Sequence, residues 1–181
     1  LVGSEMCIRD RSTCNPDGTR REVDPDEIAR NFKRGYMNIV GSLLWLSRNC
    51  YPEISFGVQQ LCRMMAEPYD EAYDAALHMI SYCHGQRDRG IKFSSNGNDE
   101  LLGLYDSSNK LDPKDSKTTA GHVIMFAGGP ISWQCKKAAH VGASSSHNEY
   151  MAAFHAAKEA KWLRDLLIEL DLKGIPADKP V

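Results

Sequence analysis

Apolar positions along the chain follow two different periods, and the change falls near Gly90. Between residues 34 and 85 they recur every three or four positions, the spacing of amphipathic helices. Tyr36, Ile39, Val40, Leu43 and Leu44 form the first stripe. Pro52 suits the first turn of a second helix, striped by Ile54, Val58, Leu61, Cys62 and Met65. Asp70 is placed to cap a third, with Tyr73, Leu77, Ile80 and His84 as its apolar face and Gly85 as its end. His84 reads as a packed helix-end histidine rather than a metal ligand.

Beyond Gly90 the alternation is that of strands. Ile91 and Phe93 begin a short one, and residues 101–107 form a second, with Leu102, Leu104 and Asp106 on one face. Thr119–Phe126 and residues 131–136 flank Gly128-Gly129-Pro130, a hairpin connection. Residues 146–170 read as one long helix, striped by Tyr150, Ala153, Phe154, Ala157, Ala160, Leu163, Leu167 and Leu170 and stopped by Gly174 and Pro176. Residues 1 to about 30 show neither period, carry Pro16, Gly18 and Pro25, and read as a loose tail. Residues 1–11 resemble a translated library adapter and are set aside.

At 181 residues and 20.2 kDa, with 42% apolar and 25% charged residues, the chain supports a packed core and excludes disorder over most of its length. Its formal charge of −2 excludes a histone-like basic coat, though not a local nucleic-acid patch. Between residues 106 and 140 five lysines outnumber three aspartates, a mild basic bias compatible with phosphate contact. No apolar run approaches the roughly 18 residues of a membrane helix, and no basic region followed by an apolar core marks a signal peptide. None of the six cysteines stand at C-x-x-C spacing, so a zinc ribbon is not expected and a reduced intracellular compartment is. Cys62 and Cys83 read as small core residues.

Two carboxylates stand out. Asp106 ends an apolar run on the face of two leucines, where an unpaired charge is expensive. It reads either as a surface aspartate opening the Ser107-Ser108-Asn109 turn or as a metal ligand. Glu149 lies in the first turn of the long helix, at the edge of its apolar stripe. There it either closes an S-x-x-E capping box from Ser146 or faces the strand carrying Asp106. Two carboxylates converging between a strand and a helix are the usual kit for magnesium-dependent phosphodiester hydrolysis. His147-Asn148-Glu149 matches the H-x-E of zinc deaminases, but no cysteine follows residue 135 to complete that site. No H-x-x-x-H pair or G-x-S-x-G element is present, and Ser144–Ser146 serve better as helix caps than as nucleophiles.

The order of blocks resembles that of copia-type retrotransposon polyproteins. Residues 36–46 (YMNIVGSLLWL) resemble their Y-x-x-x-V-G-S-L-x-Y-L block, and residues 51–56 (YPEISF) their R-P-D-I-S-F/Y. Leu104-Tyr105-Asp106-Ser107-Ser108 is similar to G-Y-S/C-D-A-D, residues 115–121 to D-R-K-S-T-S-G, and residues 128–133 to G-x-x-I-S-W. Residues 145–150 and 157–163 are similar to S-T-E-A-E-Y and A-x-K-E-A-x-W-L. Seven blocks in order cover about residues 33–170.

The resemblance implies an α/β chain with residues 31–90 as the helical end of a reverse-transcriptase region. Residues 91–181 would form a ribonuclease H-like domain with a mixed sheet, truncated before its fourth strand. It makes Asp106 the first metal-binding aspartate and Glu149 the helix glutamate, with Mg2+ or Mn2+ as cofactor. The implied partners are an RNA–DNA hybrid and the rest of the polyprotein, with no membrane. The implied setting is a cytoplasmic virus-like particle, with passage to the nucleus. Ser108 replaces the usual second aspartate, Asn109 a tryptophan and His147 a glutamate. The family's next catalytic aspartate lies in a C-D-N segment that these 181 residues do not contain; Asp171 and Asp178 lie outside any such motif. Two expectations follow: an endoribonuclease fragment inactive as this chain, or a non-catalytic relic that binds nucleic acid or a protein.

Overall fold

The structure, a computed structural model, describes residues 22–94, 100–108, 117–139 and 141–170. The chain divides into two compact units, residues 1–90 and 91–181. Residues 1–21, the 109–116 stretch with Lys110 and Lys114, and residues 171–181 with Gly174 and Pro176 lie outside the described residues.

The first unit is helical: α1 (Pro25–Lys33), α2 (Tyr36–Asn49), a 3-10 turn (Pro52–Ile54), α3 (Ser55–Arg63) and α4 (Asp70–Gly85). Helix α1 falls partly inside the stretch expected to be a tail. Its signals are local. The Asp24 side chain accepts from the Asp26 N–H, Pro25 opens the first turn, acids follow it and basic residues close the last turn. The face it buries is polar, carrying Glu27 and Asn31, so a search for apolar period passes over it. Both side chains grip the start of α4. Glu27 accepts from the Asp70 N–H at 2.7 Å, and the Asn31 amide donates to the Pro68 carbonyl and the Asp70 carboxylate. Arg30 and Arg34 pair with the same carboxylate, and these bonds hold Asp70 below the usual carboxylate range. Asp70 itself is the first helical residue and caps nothing; the cap position is Tyr69.

The core of this unit is Tyr36, Val40, Leu43, Ile54, Val58, Leu61, Tyr69, Ala72, Ala76 and Met79. The buried Tyr36 hydroxyl donates to the Leu61 carbonyl at 2.9 Å, and burial raises its pKa. The stripes of α2 and α3 are those expected. That of α4 is rotated: Ala72, Ala75, Ala76, Met79 and Cys83 face inward, while Leu77, Ile80 and His84 are exposed. Burial also raises the Cys62 and Cys83 thiol pKa values, which keeps both protonated and inert.

The second unit is an antiparallel meander, β1 (Leu102–Ser107), β2 (Thr119–Phe126) and β3 (Gly129–Lys137), followed by α5 (Ser145–Glu169). The architecture is α/β, and the described sheet is wholly antiparallel. Residues 91–94 do not form the expected strand. Ser94 N–H bonds the Ala127 carbonyl, and Phe93 lies against Gly129. The hairpin turn is tighter than expected. Ala127 (φ 50°) and Gly128 (φ 81°) are its two central residues, both left-handed as a twist-matched two-residue turn requires. Gly129 and Pro130 already belong to β3, an edge strand where proline is tolerated, beside a register shift at Ile124/Met125.

Helix α5 packs on β1 and β2. Its buried stripe is Asn148, Ala152, Ala156, Ala160, Leu163 and Leu167, while Tyr150 (78%), Phe154 (55%) and Trp162 (58%) are exposed. The C-terminal half of the expected stripe, Ala160, Leu163 and Leu167, is buried as expected, whereas in the N-terminal half alanines replace the expected Tyr150 and Phe154. Ile124, wholly buried, meets Ala160 and Leu163. No helix among the described residues is long and apolar enough to cross a membrane. This packing yields a stability test by urea denaturation. Ala156→Leu should destabilise by about 1–3 kcal/mol through overpacking, and Tyr150→Ala should shift stability by no more than about 0.5 kcal/mol.

Candidate functional site

Asp106 is the penultimate residue of β1, paired with Gly121. Cross-strand partners share a face, and Ile124, which meets α5, pairs with Gly103. Alternation therefore gives Gly103, Tyr105 and Ser107 to the helix side of β1, and Leu102, Leu104 and Asp106 to the other. Asp106 does share a face with two leucines, as expected, but that face is open: Leu102 and Leu104 are 55% and 52% exposed. The carboxylate therefore bears no burial penalty. Ser107 is the buried residue of this strand end, and its hydroxyl has no hydrogen-bond partner among the described residues.

Glu149 is exposed and does not close a capping box. The cap of α5 is Ser144, whose hydroxyl accepts from the His147 N–H at 3.1 Å. The capping position three residues on is thus His147, and Glu149 lies two residues past it. Glu149 also stands seven residues before Ala156 and fourteen before Leu163, so it projects from the sheet-facing stripe. It is exposed there, although its neighbour Asn148 is buried.

The direction of α5 follows from its side-chain contacts. The Ser132 hydroxyl donates to Glu159 at 2.7 Å, and Ser132 pairs with Ile124, itself opposite Gly103. One turn earlier, His155 interacts with Lys136, which pairs with Ala120, opposite Ser107. Descending the helix thus moves along β1 toward Ser107, and the N-terminal turns of α5 lie at the end of β1 where Asp106 sits. Asp106 and Glu149 share an end of the helix–strand pair rather than a face. The common facing expected for them is not what the register gives; a ligand reaching both would lie around the Ser107 end of β1.

Among the described residues no three His, Cys, Asp or Glu side chains form a metal-holding group. The two carboxylates are hard oxygen donors open to water, which fits a cation that keeps most of its hydration, such as magnesium. The sequence reading missed a second polar cluster, on the helix side of the sheet: His122, Ser132, Glu159, His155 and Lys136. The signal available was His155 and Glu159 one turn apart on α5, with His122 and Ile124 alternating on β2. Desolvation lowers the pKa of His122 and of His155, and Lys136 adds to both shifts.

No family model matches the chain, and no solved structure gives a significant match. Curated relatives do. The chain is 33% identical over 139 residues to the retrovirus-related Pol polyprotein from transposon RE2 of Arabidopsis thaliana, covering 76% of the chain and 9% of that protein. It is 33% identical over 148 residues to the retrovirus-related Pol polyprotein from transposon TNT 1-94 of Nicotiana tabacum, covering 81% of the chain and 11% of that protein. It is 29% identical over 128 residues to the secreted RxLR effector protein 161 of Plasmopara viticola, covering 71% of the chain and 90% of that protein. The class is thus that of retrovirus-related Pol sequences, of which the chain spans about a tenth. Within it, the chain is homologous to a segment of copia-type retrotransposon polyproteins.

Exposure and the absence of a capping role free both carboxylates from structural duty. Asp106→Asn and Glu149→Gln should each change the unfolding free energy by less than about 0.5 kcal/mol in urea denaturation, and a larger loss would assign them a structural role.

Proposed function

We propose that residues 31–90 are the end of a reverse-transcriptase region and residues 91–170 the start of a ribonuclease H-like domain that hydrolyses RNA in RNA–DNA hybrids. The observation that carries this reading is the placing of Asp106 and Glu149 at one end of a strand–helix pair, in a chain homologous to Pol polyproteins. The antiparallel meander followed by a long helix supports it, because that is the order the resemblance implies.

Asp106 and Glu149 would hold Mg2+ or Mn2+, which when bound supplies a more acidic water and charge stabilisation for the departing 3′ oxygen. Asp106 lies near the Ser107 end of an edge strand of the described sheet. Glu149 approaches from the N-terminal turns of α5. Recognition of the hybrid would rest on phosphate and 2′-hydroxyl contacts, without base readout. In this reading the chain works as part of a larger polyprotein, in a cytoplasmic particle with passage to the nucleus.

A second reading is favoured by one comparison. The segment accounts for 90% of the effector protein, so sequence of this kind also occurs as most of a small protein. A non-catalytic module that binds nucleic acid or a protein would need neither carboxylate.

The two readings part in a cleavage assay with labelled hybrid and magnesium. The 181-residue chain should show no appreciable cleavage, because two carboxylates hold one magnesium loosely and in-line displacement draws on a second metal. A longer segment of the source polyprotein that includes a C-D-N block should cleave. Asp106→Asn or Glu149→Gln in that segment should cut the rate by about 100-fold or more, the scale of losing a principal charge-stabilising group. Cleavage unaffected by both substitutions would remove the assignment, and an inactive longer segment would favour the binding module.

A further inference from the structure

The polar cluster between α5 and the sheet has no part in the site above. Ser132 of β3 and Glu159 of α5 are joined by a hydrogen bond of 2.7 Å, a polar tie between helix and sheet. His122 of β2 lies beside it, half-buried on the same face, with His155 and Glu159 of α5 and Lys136 of β3 as its charged or titratable neighbours. From β1 that face presents Gly103, Tyr105 and Ser107, none of them charged at neutral pH. His155 in turn meets Lys136 and Lys158. With both imidazoles neutral, the cluster holds two lysines against one glutamate. With both protonated it holds four cations against the same carboxylate, of which the two imidazoles are half-buried and the two lysines exposed.

We propose that this seam is an acid-sensitive latch. Neutral His122 and His155 let Glu159 hold Ser132, and protonation of the two imidazoles beside Lys136 and Lys158 releases the N-terminal half of α5 from the sheet. The sign follows from linkage. The folded-state pKa of each imidazole is depressed, chiefly by desolvation, so the released state binds protons more readily. The stabilisation is present above the ordinary histidine value of about 6.5 and is lost as pH falls through the lower folded-state values. Because α5 carries Glu149, release would also withdraw that carboxylate from Asp106. That consequence rests on the reading above, whereas the release does not.

The test is amide hydrogen exchange on the full chain at pH 7.5 and pH 5.0, corrected for intrinsic exchange, with α2 as the internal reference. Protection of α5 should fall about tenfold or more at the lower pH, while α2 changes by less than about threefold. His122→Gln should reduce the fall in α5 to less than about threefold. Should that variant fail to fold, Lys136→Met, at an exposed position, should shrink the fall by removing the neighbouring cation. Protection of α5 that is independent of pH, or that falls as far in the variants as in the parent chain, overturns the latch. None of these readings depends on cleavage of a hybrid.

Discussion

Alanine sets how closely the main helices of this protein approach what they cover. In α4 the inward positions are Ala72, Ala75 and Ala76, and in α5 they are Ala152, Ala156 and Ala160. A methyl group lets a helix axis come near the lower end of the usual 8–10 Å packing range, where backbone and Cβ atoms make the contact. Large side chains on those faces would hold the helices away and open voids, so they are turned outward. That is why Leu77, Ile80, Tyr150, Phe154 and Trp162 are exposed although they are among the largest residues of their helices. Close approach also lets a short side chain such as Ser132 reach Glu159 directly, and it puts His122 where solvent is partly excluded.

The same constraint explains which parts of the fold were legible in the sequence. Periodicity identifies that a segment is a helix, and it did so for α2, α3, α4 and α5. Within a helix it assigns the inward face by apolar bulk. This works for α2 and α3, whose cores are Tyr36, Val40, Leu43, Val58 and Leu61, and for Ala160, Leu163 and Leu167 of α5; it misplaces the face of α4 and of the N-terminal half of α5, where most inward residues are alanine. Helix α1 is invisible to apolar period because its buried face is Glu27 and Asn31, yet its Asp24-Pro25-Asp26-Glu27 start is a strong local signal. The short strand expected at Ile91 and Phe93 rested on two alternating residues, too few to outweigh the Ser94 and Ser95 that follow.

At the candidate site the residue types were legible and their geometry was not. Sequence order places Asp106 on the face of Leu102 and Leu104, and the register agrees. Which face of the sheet a helix will cover depends on Ile124 and the alanines of α5, far away along the chain. The expense of burying a carboxylate therefore gave no argument for Asp106, since its face is open. For Glu149, the local S-x-x-E pattern suggested capping, whereas the helix starts earlier and takes Ser144 as its cap. The polar seam of His122, Ser132, Glu159 and His155 joins three elements, and no single window of sequence contains it.

A carboxylate can be kept in a fold for the fold's sake, and the structure separates the two kinds present here. Asp70 accepts from Asn31 and Arg30, lies against Arg34 and anchors the start of α4, so its charge is consumed by structure. Glu27 and Glu159 likewise spend their oxygens on the Asp70 amide and the Ser132 hydroxyl. Asp106 and Glu149 make none of these ties; both are exposed, at the same end of the second unit. Two exposed oxygen donors can bind something outside the protein at no cost to packing.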